Sequence, residues 1–324
     1  MKRNIAIVAG GDSSELPVSL RSAQGLYSFM DKDKYDLYIV EIEGLRWEVC
    51  FPEGKYTIDK NDFSFSRNAK KTTFDFVYNT IHGTPGENGL LLGYFDVLRI
   101  PYSSCNVFVS SLTFNKFACN HYLKGFGVRV AESILLRKGE TIANEQVIEK
   151  VGLPCFVKPC GGGSSFGVSK VKTAEQIQPA IEKALSESNE VLLEGYMEGT
   201  EITCGCYGVK DKEVVFPITE IVTTNDFFDY DAKYNGQVDE ITPARLAPDL
   251  TERVQKLTKM IYKILGCSGI IRIDYIITDK TKINLLEINT TPGMTNTSFI
   301  PQQIKAAGLS MRDVFTDIIE DKFL

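Results

Sequence analysis

Ile270-Ile271-Arg272-Ile273-Asp274-Tyr275-Ile276-Ile277, then Thr278-Asp279-Lys280-Thr281-Lys282, then Ile283-Asn284-Leu285-Leu286-Glu287-Ile288-Asn289 sets two apolar runs around a short polar turn. That pattern predicts a β-hairpin. Centring the turn between Lys280 and Thr281 puts Asp274 opposite Glu287 and Arg272 opposite Asn289. Strand side chains alternate, so Arg272, Asp274, Glu287 and Asn289 leave one face, while Ile273, Tyr275, Leu286 and Ile288 turn to a core. Two opposed carboxylates repel unless something positive lies between them. An all-oxygen set of Asp, Glu and Asn suits Mg²⁺, which takes one or two carboxylates together with substrate phosphates. The plain alternative is a solvated face with Arg272 pairing Asp274. The continuation Thr290-Thr291-Pro292-Gly293-Met294-Thr295 favours metal and nucleotide, because it sets a glycine and hydroxyls where backbone N–H groups meet a developing oxyanion.

Upstream, Phe156-Val157-Lys158-Pro159 reads as a strand end, followed by Gly161-Gly162-Gly163-Ser164-Ser165-Phe166-Gly167. Glycines let successive N–H groups aim at an anion, and serines add hydroxyl donors. The run is neither a P-loop nor a dinucleotide fingerprint. A Gly-Ser run alone is more often a flexible loop, but an apolar strand seldom ends in a lysine without a partner, and Lys158 points to phosphate.

Further out, the spacing predicts strands at 4–9, 35–42 and 74–79 with a helix at 18–29, an α/β unit with a parallel sheet over about residues 1–105. Its polar stretch 53–73 reads as a surface excursion. Beyond it come a helix at 111–126, strands at 132–137 and 155–158, a helix at 173–188 capped by Thr173, and strands at 191–193, 202–208 and 213–219. A polar loop at 223–242, a helix at 249–265, the hairpin and a closing helix near 310–322 complete the chain. The 324 residues carry 36 Lys+Arg against 42 Asp+Glu, a net charge of −6. That balance gives no footprint for nucleic acid and no polybasic membrane patch. No apolar run reaches the length of a signal-peptide core or a membrane span, so a soluble, cytoplasmic protein is expected. The eight cysteines read as reduced thiols; Cys155, Cys160, Cys204 and Cys206 lack the paired spacing of a zinc site.

Lys158-Pro159, the Gly-Ser loop, Glu194 at a strand end, Asp274 and Glu287-x-Asn289 together resemble an ATP-grasp fold. More narrowly, Gly10-Gly11-x-Ser13-x-Glu15-x-x-Val18-Ser19, His82-Gly83 with Gly86-Glu87-Asn88-Gly89, Asp229-Tyr230-x-Ala232-Lys233-Tyr234, and Asn289-Thr290-x-Pro292-Gly293-Met294-Thr295 are similar to the D-alanine–D-alanine ligase family. The matches keep their order over nearly the whole chain. The resemblance implies a Rossmann-like parallel α/β domain (1–105) followed by a two-part ATP-grasp fold (106–194 and 195–324). It also implies a cytoplasmic homodimer joined through the first domain and serving peptidoglycan precursor synthesis.

Such ligases phosphorylate one D-alanine with ATP and let the amine of a second attack the acyl phosphate. On this resemblance, Lys116 and Lys158 hold ATP phosphates under the 161–167 loop, with Ser165 and Lys233 also at the nucleotide. Glu194, the Met197 backbone and Glu201 take adenine and ribose. Asp274, Glu287 and Asn289 hold two Mg²⁺ ions, for which Mn²⁺ substitutes. Glu15 pairs with the first ammonium and His82 orients Glu15 or its loop. Arg272 and the Gly293 N–H meet the oxyanion. Ser298 and Lys233 receive the second carboxylate beside Phe299, and Tyr234, Ser164 and Glu15 close the loop and help remove the amine proton. The chain departs from the family pattern at Gly161-Gly162, where a charged pair is usual, at Gly195, where Lys is frequent, and at Phe299, where Leu is common. The alternatives are a D-alanine–D-lactate ligase, against which the Lys233-Tyr234 pair argues, another ATP-grasp carboxylate–amine ligase, and a non-catalytic nucleotide-binding protein, which would have lost a metal ligand, Lys158 or Arg272.

Overall fold

The chain opens with β1 (Arg3–Gly10), α1 (Leu16–Phe29) and β2 (Tyr35–Glu43), a strand–helix–strand unit whose strands pair in parallel. The computed structural model describes residues 2–163, 166–209, 212–223 and 238–324. From β2 the chain doubles back through β3 (Arg46–Phe51), β4 (Gly54–Asp59), β5 (Ser64–Arg67) and β6 (Lys70–Thr72), each antiparallel to the one before. Then β7 (Phe76–Asn79) lies parallel to β1 on its other side, giving the order β6-β5-β4-β3-β2-β1-β7. The three expected strands pair in parallel, and the reading of 53–73 as an excursion is corrected: that stretch extends the sheet with antiparallel strands. Many of the polar residues there are the outward half of short strands; Ile58 of β4 and Phe65 of β5, with Phe63 of the turn between them, are buried with Phe95.

After α2 (Leu90–Leu98), the single helix expected at 111–126 is two, α3 (Val107–Phe114) and α4 (Lys116–Lys124). Asn115 breaks it at ψ 101°. Its side-chain oxygen accepts from Ala118 N at 3.0 Å, and its amide donates to Glu190 Oε2 at 2.8 Å. Asparagine is a strong N-cap because it satisfies an end N–H that the helix leaves unpaired. Lys116 thereby becomes the first residue of a new helix.

A second sheet follows from β8 (Ser133–Arg137), β9 (Cys155–Pro159), β10 (Ser169–Val171) and β11 (Glu190–Gly195), antiparallel in the order β10-β9-β11-β8. Helices α5 (Asn144–Val151) and α6 (Ile177–Leu185) cover it, and a 3-10 turn at Ala174–Gln176 takes the first part of the helix expected from 173. The third sheet holds β12 (Thr200–Val209), β13 (Lys212–Val215), β14 (Thr219–Thr223), β15 (Val238–Ile241), β16 (Gly269–Thr278) and β17 (Lys282–Asn289). The strand expected at 213–219 is thus two, parted at Phe216, which is fully buried and bonds back to Gly205 O. The loop expected at 223–242 ends in β15; its residues 224–237 lie outside the described residues. α7 (Pro248–Leu265), α8 (Phe299–Ala306) and α9 (Met311–Asp321) complete the third region.

The hairpin reaches the expected pairing by an unexpected route. Thr278 pairs Lys282, so the turn has three residues, with Asp279 at φ 48° and Lys280 at φ 63°. An odd turn alone would shift every side chain to the other face. A β-bulge between Asp274 and Tyr275 restores the register, leaving Arg272 opposite Asn289 and Asp274 opposite Glu287. Tyr275 pairs Leu285, so Leu285 takes the buried place assigned to Leu286, and Leu286 faces the cavity. A bulge lets two adjacent residues share one side of a strand, here Leu286 and Glu287.

The first and third regions share a core. Ile5, Ile7 and Phe76 of the N-terminal sheet pack with Phe315, Ile318 and Ile319 of α9 and Ile300 and Ile304 of α8. Each such side chain contributes roughly 1.5–3 kcal/mol on burial. The contact fixes α1 against the 290s loop, where Met294 N donates to Ser22 Oγ at 3.2 Å.

Candidate functional site

Two cavities meet at the centre. One, of about 470 Å³, opens between the second and third sheets against Lys116, Lys158, Glu194, Met197, Glu201, Leu286 and Glu287. The other, of about 580 Å³, lies among the start of α1, the loop at 82–87 and the start of α8, against Glu15, His82, Asn289, Gly293, Ser298 and Phe299. Lys116, Gly162, Gly163, Arg272 and Glu287 border both.

In the first cavity Lys158 on β9 and Glu194 on β11 form a buried ion pair at 2.6 Å, their side chains 9% and 3% exposed. Burial alone would lower the Lys158 pKa, but the Glu194 charge and hydrogen bond outweigh it and hold the ammonium above its ordinary value. Glu194 Oε1 is buried without a hydrogen-bond partner among the described residues. Removing either partner of such a pair typically costs roughly 3–5 kcal/mol. Lys116, at the start of α4, donates to Gly162 O at 2.6 Å and lies 3.6 Å from Glu287 Oε2. Two lysines thus converge beside a glycine loop and a carboxylate.

The loop's path is tight at Gly161 and Gly163 and backbone-restricted at Gly162. A Cβ on Gly161 would lie 2.8 Å from the Phe114 ring, and one on Gly163 2.7 Å from Glu15 Oε2. Gly162 sits at φ +97°. The charged pair usual at 161–162 would not fit this path. Ser164 and Ser165 lie outside the described residues, as do Lys233 and Tyr234.

On the shared wall Arg272 holds Asp274 with both ends of its fork, Nε to Oδ1 at 2.9 Å and Nη2 to Oδ2 at 2.8 Å. The alternative pairing read from the sequence is therefore present, and it is buried rather than solvated. Burial would lower the Arg272 pKa, but Asp274 outweighs it and keeps the guanidinium charged. The guanidinium carbon sits 5.5 Å from the Phe299 ring centroid. Asp274, Glu287 and Asn289 lie on one face of the hairpin, with Glu287 and Asn289 bordering the second cavity and Asp274 and Glu287 the first. Asp274 and Glu287 at the first cavity and Asn289 at the second are residues with the carboxylate and amide oxygens that Mg²⁺ takes, beside Lys116, and the set fits that ion.

In the second cavity His82 is buried, and Nε2 has no partner among the described residues. Burial pushes its pKa down, Arg272 adds to this and Glu15 opposes it, so the ring is neutral near pH 7. Ser298 Oγ and Thr295 Oγ1 share a hydrogen bond at 2.7 Å at the start of α8. Among the cavity residues without a sequence-based assignment are Glu87, Glu240, Glu220 and Arg245. Glu87 accepts from Gly83 N at 3.0 Å, and burial, with the Glu15 charge, pushes its pKa up to about 7. Glu240 accepts from Gln302 at 2.6 Å. Glu220 and Arg245 form a two-bond pair at the rim of the first cavity. Only Glu87 lay in a quoted motif; nothing local marks the others.

Two sheets facing one cavity, with lysines on one wall and opposed carboxylates on the other, are the arrangement of an ATP-grasp fold. Profiles described as "D-ala D-ala ligase N-terminus" and "D-ala D-ala ligase C-terminus" match residues 4–105 and 122–320. The chain belongs to the D-alanine–D-alanine ligase family. It is 72% identical to a D-alanine–D-alanine ligase from Phocaeicola vulgatus over the full length of both chains. Among solved structures it is similar to a D-Ala:D-Ser ligase from Enterococcus faecalis (TM-score 0.87, 29% identity, 99% of each chain). A Bacillus anthracis D-alanine–D-alanine ligase complexed with ATP also matches (TM-score 0.79, 29% identity, 99% of this chain and 97% of that one). Among the described residues, no helix is long and apolar enough to cross a membrane.

Proposed function

We propose that the protein joins two D-alanines into D-alanyl-D-alanine at the expense of ATP. The observation that carries this is the meeting of the two cavities at Lys116, Arg272 and Glu287: one suits a nucleotide, the other two small amino acids, and phosphate must pass between them. Phosphoryl transfer asks for positioning and charge neutralisation rather than covalent help. Lys116 and Lys158 hold the phosphates, with Ser165 and Lys233 beside them. Glu194, whose Oε1 has no partner among the described residues, the Met197 backbone and Glu201 take adenine and ribose. Glu15 pairs with the first D-alanine's ammonium, and neutral His82 braces that loop.

The first carboxylate attacks the γ-phosphoryl group, giving an acyl phosphate and ADP. Ser298 and Lys233 seat the second D-alanine by its carboxylate beside Phe299. Its amine attacks the carbonyl carbon, the charge on oxygen is met by Arg272 and the Gly293 N–H, and phosphate leaves. Donors preorganised at such an oxyanion contribute roughly 3–4 kcal/mol each. Tyr234, Ser164 and Glu15 help take the amine's proton. Asp274, Glu287 and Asn289 would hold two Mg²⁺ ions, or Mn²⁺, which when bound neutralise phosphate charge. We take residues 1–105, 106–194 and 195–324 as the domains of a cytoplasmic homodimer whose product feeds peptidoglycan synthesis.

ADP release with D-alanine alone, and then with D-lactate added, tests the reading. Turnover with D-alanine alone, and dipeptide as the main product at neutral pH with D-lactate present, is expected. ADP release that requires D-lactate would overturn it in favour of an ester-forming ligase.

A further inference from the structure

Among the described residues, Asp274 receives hydrogen bonds from three side chains. Arg272 spans both oxygens, and Asn289 Nδ2 donates to Oδ2 at 3.2 Å. The third donor comes from another strand. Thr203 on β12 is the antiparallel register partner of Asp274, and its Oγ1 donates to Oδ1 at 2.5 Å. Thr203 is fully buried. A central strand position with no solvent contact suits valine at least as well as threonine on packing grounds. A hydroxyl there needs a partner, and Asp274 supplies it. Thr203 is itself pinned from α8. Gln303, also fully buried, donates to Thr203 O and to Thr219 Oγ1, each at 3.0 Å, and accepts from Gly205 N at 2.9 Å.

The two carboxylate oxygens are therefore not equivalent. Oδ1 is taken by Thr203 and by Arg272 Nε. Oδ2 is held by Arg272 Nη2 and by the Asn289 amide, and an amide turned end for end offers oxygen in place of N–H. Oδ2 is the oxygen that can be released to a cation bordering the cavities.

We propose that Thr203 is a positioning residue for divalent-cation binding, its hydroxyl tying Asp274 Oδ1 to β12 so that the carboxylate presents Oδ2. The inference rests on the reading of Asp274 as a metal ligand. Outer partners that orient a ligand typically alter metal affinity by about 10- to 100-fold.

The test is Mn²⁺ binding to the full chain, followed by electron paramagnetic resonance in the presence of ADP and without D-alanine, so that turnover plays no part. Thr203→Val removes the hydroxyl and keeps the shape; it is expected to weaken Mn²⁺ binding about tenfold with no loss of thermal stability. Thr203→Ser keeps the hydroxyl and is expected to bind as wild type. Wild-type affinity in Thr203→Val overturns the proposal, and so does equal weakening in Thr203→Ser, which would assign the effect to the lost methyl. Should Thr203→Val fail to fold, Thr203→Ala is read by the same criteria. Asp274→Asn separates the two levels of the claim. If it weakens Mn²⁺ binding and Thr203→Val does not, only the role of Thr203 falls; if Asp274→Asn binds as wild type, the metal reading falls with it.

Discussion

Glu287 borders both cavities and lies 3.6 Å from Lys116, so its charge is placed where the two spaces meet. Glu287→Gln keeps the size and the strand and is expected to abolish nearly all turnover at saturating Mg²⁺ with an unchanged circular dichroism spectrum. Activity within a few-fold of wild type would remove Glu287 from the site. Glu87 makes a pH prediction. Its folded pKa of about 7 stands above the ordinary 4.5, because burial and the Glu15 charge disfavour its ionised form. Between those values the folded chain holds a proton that the unfolded chain has released, so stability falls as pH rises from 4.5 to 7 and is flat above. Glu87→Gln lacks that loss. Its melting temperature is expected to gain on wild type between pH 4.5 and pH 7.5, and a constant difference would show that Glu87 titrates normally. At this scale the motif residues were legible because their chemistry is local: a lysine ending a strand, or carboxylates opposed on a hairpin. Thr203 and Glu240 were not, because a threonine or glutamate in a strand acquires a role only through the neighbour that folding brings to it.

The hairpin shows how elements were read and where the reading failed. The pairing of Asp274 with Glu287 was anticipated from a symmetric turn, yet it arises from a three-residue turn and a bulge whose effects on register cancel. Neither is written plainly in the run Ile283–Asn289, since Leu285 and Leu286 are the same residue type and only packing decides which is buried. The bulge also has a use: it sets Leu286 beside Glu287 on the cavity face, an apolar surface next to a carboxylate. Leu286→Ala is expected to raise the KM for ATP several-fold while leaving the KM for D-alanine near wild type, measured in steady state. An effect confined to D-alanine would mean that Leu286 faces the wrong substrate. Strands β3–β6 and the break at Asn115 were missed for a related reason. Short strands with charged outer faces and a cap inside a helical pattern carry weak periodicity, and tertiary contacts fix them.

On the scale of the molecule, the order of units was legible from the alternation of strands and helices and from motifs spread along the chain. The packing of α9 on β1 was not, because contacts between residues some 300 positions apart leave no pattern in either segment. That core joins the end bearing Glu15 to the end bearing Arg272, Gly293 and Ser298, and so assembles the second cavity. The central claim is that the carboxylate of one substrate meets the γ-phosphoryl group where the cavities join. D-alanine labelled with ¹⁸O in both carboxylate oxygens tests it, with the released phosphate read by mass spectrometry. Passage through an acyl phosphate transfers one labelled oxygen to phosphate for each dipeptide formed. Unlabelled phosphate accompanying dipeptide would contradict the account.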